Sequence, residues 1–291
     1  MTTTKLYSIQ GTELKSISLP EQFDEEINQD LIKRAVMTIQ QRSRKRYGAF
    51  PMAGKRSVSK LSKRRRDYRG SYGKGISRVQ RKIMWKRGSQ FGWEGAFAPG
   101  MKGGRKAHPP KSEKSFSDKI NKKERRKAIR SAIAATAVKD LVLTRHKITK
   151  TTGIAFPIIL ESKFESLNKT KQVKELLLKI GLKEEFERIG KRKIRAGKGK
   201  SRNRKYKISR GPLIIFSNIC PLEKASRNLQ GFETSVVENL NAELLAPGSI
   251  PGRLTIWSES ALQKMADEKL FTNEQIKKED KGKKAKGKDK K

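Results

Sequence analysis

Seventy consecutive residues, Arg42–Lys111, limit what this 291-residue chain can fold into. They hold 22 Lys or Arg against two acids (Asp67 and Glu94), with 11 Gly, five Ile, Leu or Val (Val58, Leu61, Ile76, Val79, Ile83) and eight aromatics. Fixing the backbone of one residue costs about 1–2 kcal/mol. Burying one large apolar side chain returns at most about 3 kcal/mol. With so few such side chains, the segment cannot hold itself together by burial, and an anionic partner has to order it.

The rest of the charge is just as unevenly placed. Lys191–Arg210 holds 11 basic residues and no acid, and Lys277–Lys291 holds nine Lys and three acids. The other 186 residues carry 28 bases and 24 acids. A nearly neutral body thus bears three basic excursions, and clustered charge of this kind points to polyphosphate, as nucleic acid or an anionic membrane. The membrane alternative is the weaker one. No apolar run approaches the roughly 18 residues that would span a bilayer, and the basic stretches are broken by glycine instead of forming amphipathic helices. The opening MTTTKLYSIQG has no apolar segment of the secretory kind. One cysteine, Cys220, and two histidines leave no disulfide framework and no Cys/His zinc site. The expectation is an intracellular, soluble, nucleic-acid-associated protein without metal, cofactor or membrane partner.

Patterning in the body alternates strands and helices. Lys5–Gln10 reads as a short strand, and Asp30–Arg42 as a helix with Asp30 at its N-cap. Ser117–Leu143 reads as one long helix, with Asn121 and Glu124 at capping-box spacing. Its charged start could face either solvent or phosphate. Ile154–Leu160 and Pro212–Asn218 are continuous apolar runs of the buried, parallel-strand type. Ser235–Asn239 and Arg253–Trp257 are further strands. Thr170–Ile180 is an amphipathic helix stopped by Gly181, Leu182–Ile189 adds another short helix, and Ser258–Lys269 closes the body, capped by Ser258 or Ser260. This predicts an α/β, three-layer-like globular domain with a largely parallel sheet. Residues 1–41 and 112–276 would form that one discontinuous domain, 42–111 an extended loop, and 277–291 a disordered lysine-rich tail.

Catalytic chemistry finds no support. Ile194–Ser201 (IRAGKGKS) ends like a phosphate-cradling P-loop but has Ile194 where the motif needs glycine, and it precedes a strand instead of opening a helix. Gly73 and Gly75 lack the third glycine of a dinucleotide fingerprint. His108 and His146 have no acid, Ser or Cys beside them in a motif and read as surface or RNA-facing residues. Glu25, Glu26, Glu184 and Glu185 read as solvated helix faces, and Cys220 as a small buried apolar residue. No catalytic residue is assigned.

The basic sequence is interleaved with aromatics and glycine. Cations neutralise phosphates, aromatic faces stack on unpaired bases, and glycine lets backbone approach a sugar-phosphate chain. Phosphate contacts are expected from Arg44, Arg46, Lys55, Arg56, Lys63, Arg64, Arg65, Arg66, Arg69, Arg105 and Lys106 in the extension. In the second basic run they are expected from Lys198, Lys200, Arg202, Arg204 and Lys205. Tyr68, Tyr72, Trp85, Phe91, Trp93 and Phe97 are the stacking candidates. On the residues alone, a chromatin-like or mRNA-associated module without a fixed site remains an alternative.

Several separate stretches in one order resemble the universal large-subunit ribosomal protein four family, in its archaeal and eukaryotic form. They are Pro51–Arg56 (PMAGKR), Gly103–Lys111 (GGRKAHPPK), Lys119–Ala137 (KINKKERRKAIRSAIAATA), Arg195–Lys207 (RAGKGKSRNRKYK) and Val236–Trp257 (VVENLNAELLAPGSIPGRLTIW). The resemblance implies a cytoplasmic ribosomal protein whose α/β domain sits on the outer surface of the large subunit. It further implies a long loop threading inward through large-subunit rRNA, with its tip in the constriction of the nascent-peptide exit tunnel, opposite large-subunit protein twenty-two and within reach of the nascent peptide. The family's Gly-x-Gly and following basic residue fall on Gly73, Gly75 and Arg78. The implied tip is Gly73–Gly88, with Gly73, Gly75, Arg78, Val79, Arg81, Lys82, Lys86 and Arg87 as candidates to face the tunnel. The second basic run is implied to bind RNA at the domain surface.

Overall fold

The computed structural model describes residues 3–59, 61–62, 64–67, 70–88, 90–148 and 154–273. The candidates Lys63, Tyr68 and Arg69, and the tail 277–291, lie outside the described residues. The chain divides into two units, Met1–Gln41 with Asp118–Lys291, and Arg42–Ser117.

The first unit begins with β1 (Thr3–Tyr7), which turns at Gly11 into its antiparallel partner β2 (Glu13–Ser18). Helix α1 (Gln29–Ser43) follows. Asp30 is not its cap: Asn28 Oδ1 accepts the Leu31 N–H at 2.9 Å, two residues earlier than the periodicity suggested. The chain then passes through the second unit, which contributes β3 (Arg81–Arg87) and β4 (Gln90–Gly95).

On its return, the single helix expected over Ser117–Leu143 is two, α2 (Lys122–Ala137) and α3 (Lys139–Arg145), broken at Val138, whose ψ of 110° is extended. The capping box does not form, because Glu124 is drawn to Arg34 on α1, 2.7 Å away. The charged start of α2 is partly consumed internally. Arg130 binds Glu25 at 2.6 Å and the Phe271 carbonyl at 2.7 Å, and Arg126 donates to the Thr272 carbonyl. Glu25 is therefore an ion-pair partner outside any helix, not a solvated helix face.

Then come β5 (Ile158–Leu160), α4 (Thr170–Lys179), α5 (Lys183–Gly190) and the short strands β6 (Lys193–Ile194) and β7 (Tyr206–Lys207). The chain continues through β8 (Leu213–Phe216), α6 (Pro221–Arg227), β9 (Glu233–Val236), α7 (Ala242–Leu245), β10 (Thr255–Ser258) and α8 (Glu259–Asp267). Ser258 Oγ accepts the Ala261 N–H and caps α8.

Six strands form one sheet in the order β2-β1-β5-β10-β8-β9, parallel throughout except for the β1–β2 pair. Successive residues of a strand point to opposite faces, so the apolar runs feed two cores. Ile159, Leu213, Ile215 and Trp257 meet Ile32, Val36, Ile129, Ile133 and Met265 on one side. Ile158, Leu160, Ile214, Phe216 and Ile256 meet Val173, Leu176, Leu177 and Ile189 on the other. Helices on both faces of a mostly parallel sheet make the three-layer α/β architecture that the alternation predicted.

In the second unit, Gly70, Ser71 and Ala96 are the only buried residues among those described. Order comes from backbone pairing. The Ala49 N–H donates to the Pro110 carbonyl at 2.9 Å, and a Cβ on Gly54 would stand 2.5 Å from Arg105 N, so only glycine permits the two segments to cross there. The β3–β4 hairpin, which the apolar pattern did not announce, is paired through Lys82 opposite Glu94 and Ile83 opposite Trp93.

Candidate nucleic-acid interface

The candidate phosphate ligands of the extension fall into sets. Lys55 lines a groove of about 680 Å³ together with Arg105 and Lys106, because the crossing at Gly54 brings these two segments together, while Arg56 stacks 4.3 Å from the Phe50 ring centroid. Arg64, Arg65 and Arg66 ride on an exposed turn. Arg44 stacks its guanidinium 4.2 Å from the Phe116 ring, and Arg46 is exposed. Gly73 and Gly75 take φ of +74° and +61°, the left-handed values glycine tolerates. Arg78 then folds back to donate to Tyr72 OH at 3.2 Å. Val79 is half-buried, Lys82 pairs with Glu94 at 3.3 Å, and Arg87 is exposed.

Most of the stacking candidates already have a companion. Phe91 and Trp93 pack edge to face with centroids 5.8 Å apart, Lys86 sits over Phe91, Arg81 over Trp93 and Arg105 over Phe97. Trp85 is 56% exposed and lies on Gly92, where a Cβ would come within 2.1 Å of its Nε1.

The second basic run is a hairpin arm rising from the first unit. In its stem Lys193 stands opposite Lys207 and Ile194 opposite Tyr206. Like charges placed opposite one another destabilise a strand pair, so this stem gains from an anion alongside it. Its far end is shaped by Gly197 (φ +74°) and Asn203 (φ +60°), with Arg195 Nε donating to the Arg204 carbonyl at 3.0 Å. This turn displays Lys198, Lys200, Arg202, Arg204 and Lys205, all exposed. Ser201 spends its hydroxyl on the Lys198 carbonyl, and the GKS triplet runs toward β7, not into a helix.

The arm stands on a buried polar network that the sequence reading missed. His146 and Glu185 are not surface groups: they are 3% and 0% exposed. Glu185 meets His146 Nδ1 at 2.6 Å, accepts the Lys147 N–H at 3.2 Å, and takes both Nε and Nη2 of Arg188 at 2.7 and 2.6 Å. Arg188 Nη2 also donates to the Arg210 carbonyl at 2.7 Å, where the arm rejoins the sheet. Leu254 N–H donates to His146 Nε2 at 3.0 Å, so that nitrogen carries no proton and the imidazole is the neutral Nδ1–H form. Burial pushes the His146 pKa down, against the pull of Glu185. Burial alone would raise Glu185, but the hydrogen bonds from Arg188 and His146 outweigh it and hold the carboxyl below its ordinary range.

Beside this network Arg253, wholly buried, donates to the carbonyls of Gly211 and Leu244 at 2.8 Å and to Glu233 at 2.6 Å. Burial, then the neighbouring Arg210, pushes its pKa down to about 9. At the carboxyl ends of β8 and β10, Glu165 accepts from Ser217 N and Oγ, Ser258 Oγ and Ser260 Oγ, all within 2.6–2.9 Å. Cys220 is half-buried, not fully buried as its apolar neighbours suggested, because it sits at the N-terminus of α6 next to Ile219, 84% exposed. A signal for Glu185 did exist: it shares the inward stripe of α5 with Leu182 and Ile189.

Residues 17–268 match the sequence profile described as the ribosomal protein L4/L1 family. The chain belongs to this family. A protein of Nanoarchaeum equitans, "Large ribosomal subunit protein uL4", is 49% identical over 268 residues, covering 91% of this chain and 98% of its own. Proteins of the same name from Methanosphaera stadtmanae and Methanocaldococcus jannaschii are each 42% identical, covering 92% and 90% of this chain and 97% of their own. These three relatives are archaeal, in keeping with the resemblance in the sequence, and family membership makes this a ribosomal protein, not an enzyme.

Proposed function

We propose that the chain is a structural constituent of the large ribosomal subunit that binds large-subunit rRNA through two surfaces, the extension Arg42–Lys111 and the arm Lys191–Arg210. The observation that carries this is the charge imbalance of the exposed segments. The extension has two acids for its 22 cations, and the arm has none for its 11, with Arg210 reaching out of it to Glu233. Most of these cations therefore have no carboxylate in their own segment, and phosphate is the partner that neutralises them in number. Lys63, Arg69 and Tyr68 belong to the same proposed surface by sequence.

The extension's tip, around Gly73–Gly88, is proposed to reach the nascent-peptide exit tunnel, next to large-subunit protein twenty-two. Support comes from the family resemblance at Gly73, Gly75 and Arg78, and from the low burial of this stretch.

Salt titration tests the RNA-binding reading. Each cation that displaces a condensed counterion adds about −0.7 to −0.9 to the slope of log K against log salt. Replacing Arg42–Lys111 by a short linker should weaken rRNA binding and flatten that slope markedly; an unchanged slope would remove the extension from the interface. For the tunnel, a photo-cross-linker placed at Lys86 of subunit-assembled protein should capture nascent chain or protein twenty-two. Cross-links to rRNA alone would remove the tunnel assignment and leave the RNA-binding one.

A further inference from the structure

We propose that the root of the arm holds a separate, preformed phosphate site, a groove between the end of β7 and the loop after α7 that takes the backbone of one RNA strand. This rests on the RNA-binding reading and adds a location at the base of the second basic run, where Arg145 and Arg188 from outside the run join Lys207 and Arg210. The groove has a volume of about 810 Å³, and its walls include Arg145, Arg188, Lys207, Arg210, Pro247 and Ile250. Clefts of roughly 300–1,000 Å³ are the ones that hold ligands.

Its charge is poorly compensated. Arg145 donates to the carbonyls of Ile250 and Pro247, both at 2.9 Å, with no carboxylate partner among the described residues. Arg188 is held by Glu185 from behind, and Arg210 shares Glu233 with the buried Arg253. Lys207 faces Lys193 across the stem. With Glu243 on the wall, bonded to Gln40 at 3.3 Å, the groove is lined by two carboxylates, Glu233 and Glu243, against four cations, Arg145, Arg188, Lys207 and Arg210. Burial first, then the neighbouring Arg253, Arg188 and Arg210, pushes the Arg145 pKa down to about 10, against the pull of Glu185. A guanidinium presents a planar fork that matches phosphate oxygens. The groove opens beside an arm carrying 11 cations and no acid, so a strand tracking the arm continues into it. Glu243 gives the groove a repulsive rim that sets where the phosphates stop.

Directed hydroxyl-radical probing tests the proposal in the full-length chain bound to large-subunit rRNA. With Cys220→Ser as background, an iron chelate is tethered at Ile250→Cys, on the exposed rim, or at Ser201→Cys, on the arm's far end. Each tether should cut a short RNA stretch, the two being different. In unlabelled protein, Lys207→Gln should lower the salt slope by about 0.7–0.9, the share of one phosphate contact. Arg145→Lys keeps the charge and loses the fork, so affinity should fall several-fold with the slope unchanged. Cleavage from Ser201 but not from Ile250 overturns the groove and leaves the arm; cleavage from neither overturns the RNA-binding reading as well. If both substitutions weaken binding of inorganic tripolyphosphate but leave rRNA affinity and slope as they were, the occupant is a free polyphosphate and the strand proposal is wrong.

Discussion

Two buried or half-buried glutamates, changed in the same way, should give very different losses of stability. In Glu185→Gln one carboxylate oxygen becomes an NH₂. Whichever way the amide lies, that NH₂ faces hydrogen-bond donors that cannot reverse. On the Oε2 side these are the Lys147 N–H and Arg188 Nε–H; on the Oε1 side they are Arg188 Nη2 and His146 Nδ1–H. The imidazole cannot escape by changing tautomer, because its Nε2 already accepts the Leu254 N–H. Removing a partner from a buried charged network costs about 3–5 kcal/mol; Arg188 is 22% exposed, so water recovers part of this and about 3 kcal/mol is expected. In Glu165→Gln the new NH₂ can be directed at Ser217 Oγ, a hydroxyl that turns round to accept. The other oxygen keeps Ser217 N, Ser258 and Ser260, so the loss should stay near 1 kcal/mol. At roughly 2–4 °C per kcal/mol for a domain of this size, thermal unfolding should drop by about 6–12 °C for Glu185→Gln and about 2–4 °C for Glu165→Gln. Equal drops, or a Glu185→Gln drop below about 2 °C, would refute the donor-against-donor argument.

The same groups set how stability depends on pH. His146 is held neutral by burial, so the unfolded chain takes its proton first. Stability should be full above about pH 6.5 and fall below it by up to about 1.4 kcal/mol per pH unit, until the folded pKa is passed. Urea unfolding between pH 5 and 7 measures this, and the slope should shrink in His146→Gln; an unchanged slope contradicts the assignment. Glu165 is a depressed carboxyl, in which serine hydrogen bonds outweigh the effect of burial. Its contribution should be present above about pH 4.3 and vanish as pH falls through the lower folded value, a step missing from Glu165→Gln.

What the sequence made legible follows from where burial is one-dimensional. PLIIF and the run ending at Leu160 had to be central strands, because every residue in them is apolar and both faces of the sheet are covered. β2 escaped detection for the opposite reason: an edge strand reading ELKSIS, exposed or half-buried throughout, has no apolar period to find. The hairpin of β3 and β4 escaped because its pairing rests on cross-strand partners, Lys82 with Glu94 and Ile83 with Trp93, that only register brings opposite one another.

The binding surfaces divide along the same line. Exposed cations announce themselves by composition, since nothing in a fold requires 11 of them in 20 residues. The network beneath them does not, since His146, Glu185, Arg188, Arg210 and Arg253 are scattered over more than 100 residues and meet only once the sheet is closed. Their arrangement explains why the arm is placed where it is. Arg188 grips the Arg210 carbonyl, Arg253 grips that of Gly211, and a Cβ on Gly211 would collide with Ile189 at 2.5 Å. The outgoing leg of the arm is thus held at two successive carbonyls, through Arg188 to the His146–Glu185 pair and through Arg253 to Glu233, while the incoming leg continues α5, which carries Glu185. Under the proposed function, such a base presents an arm with no apolar core of its own to rRNA in one orientation, and in the protein by itself it already gathers Arg145, Arg188 and Arg210 around one groove.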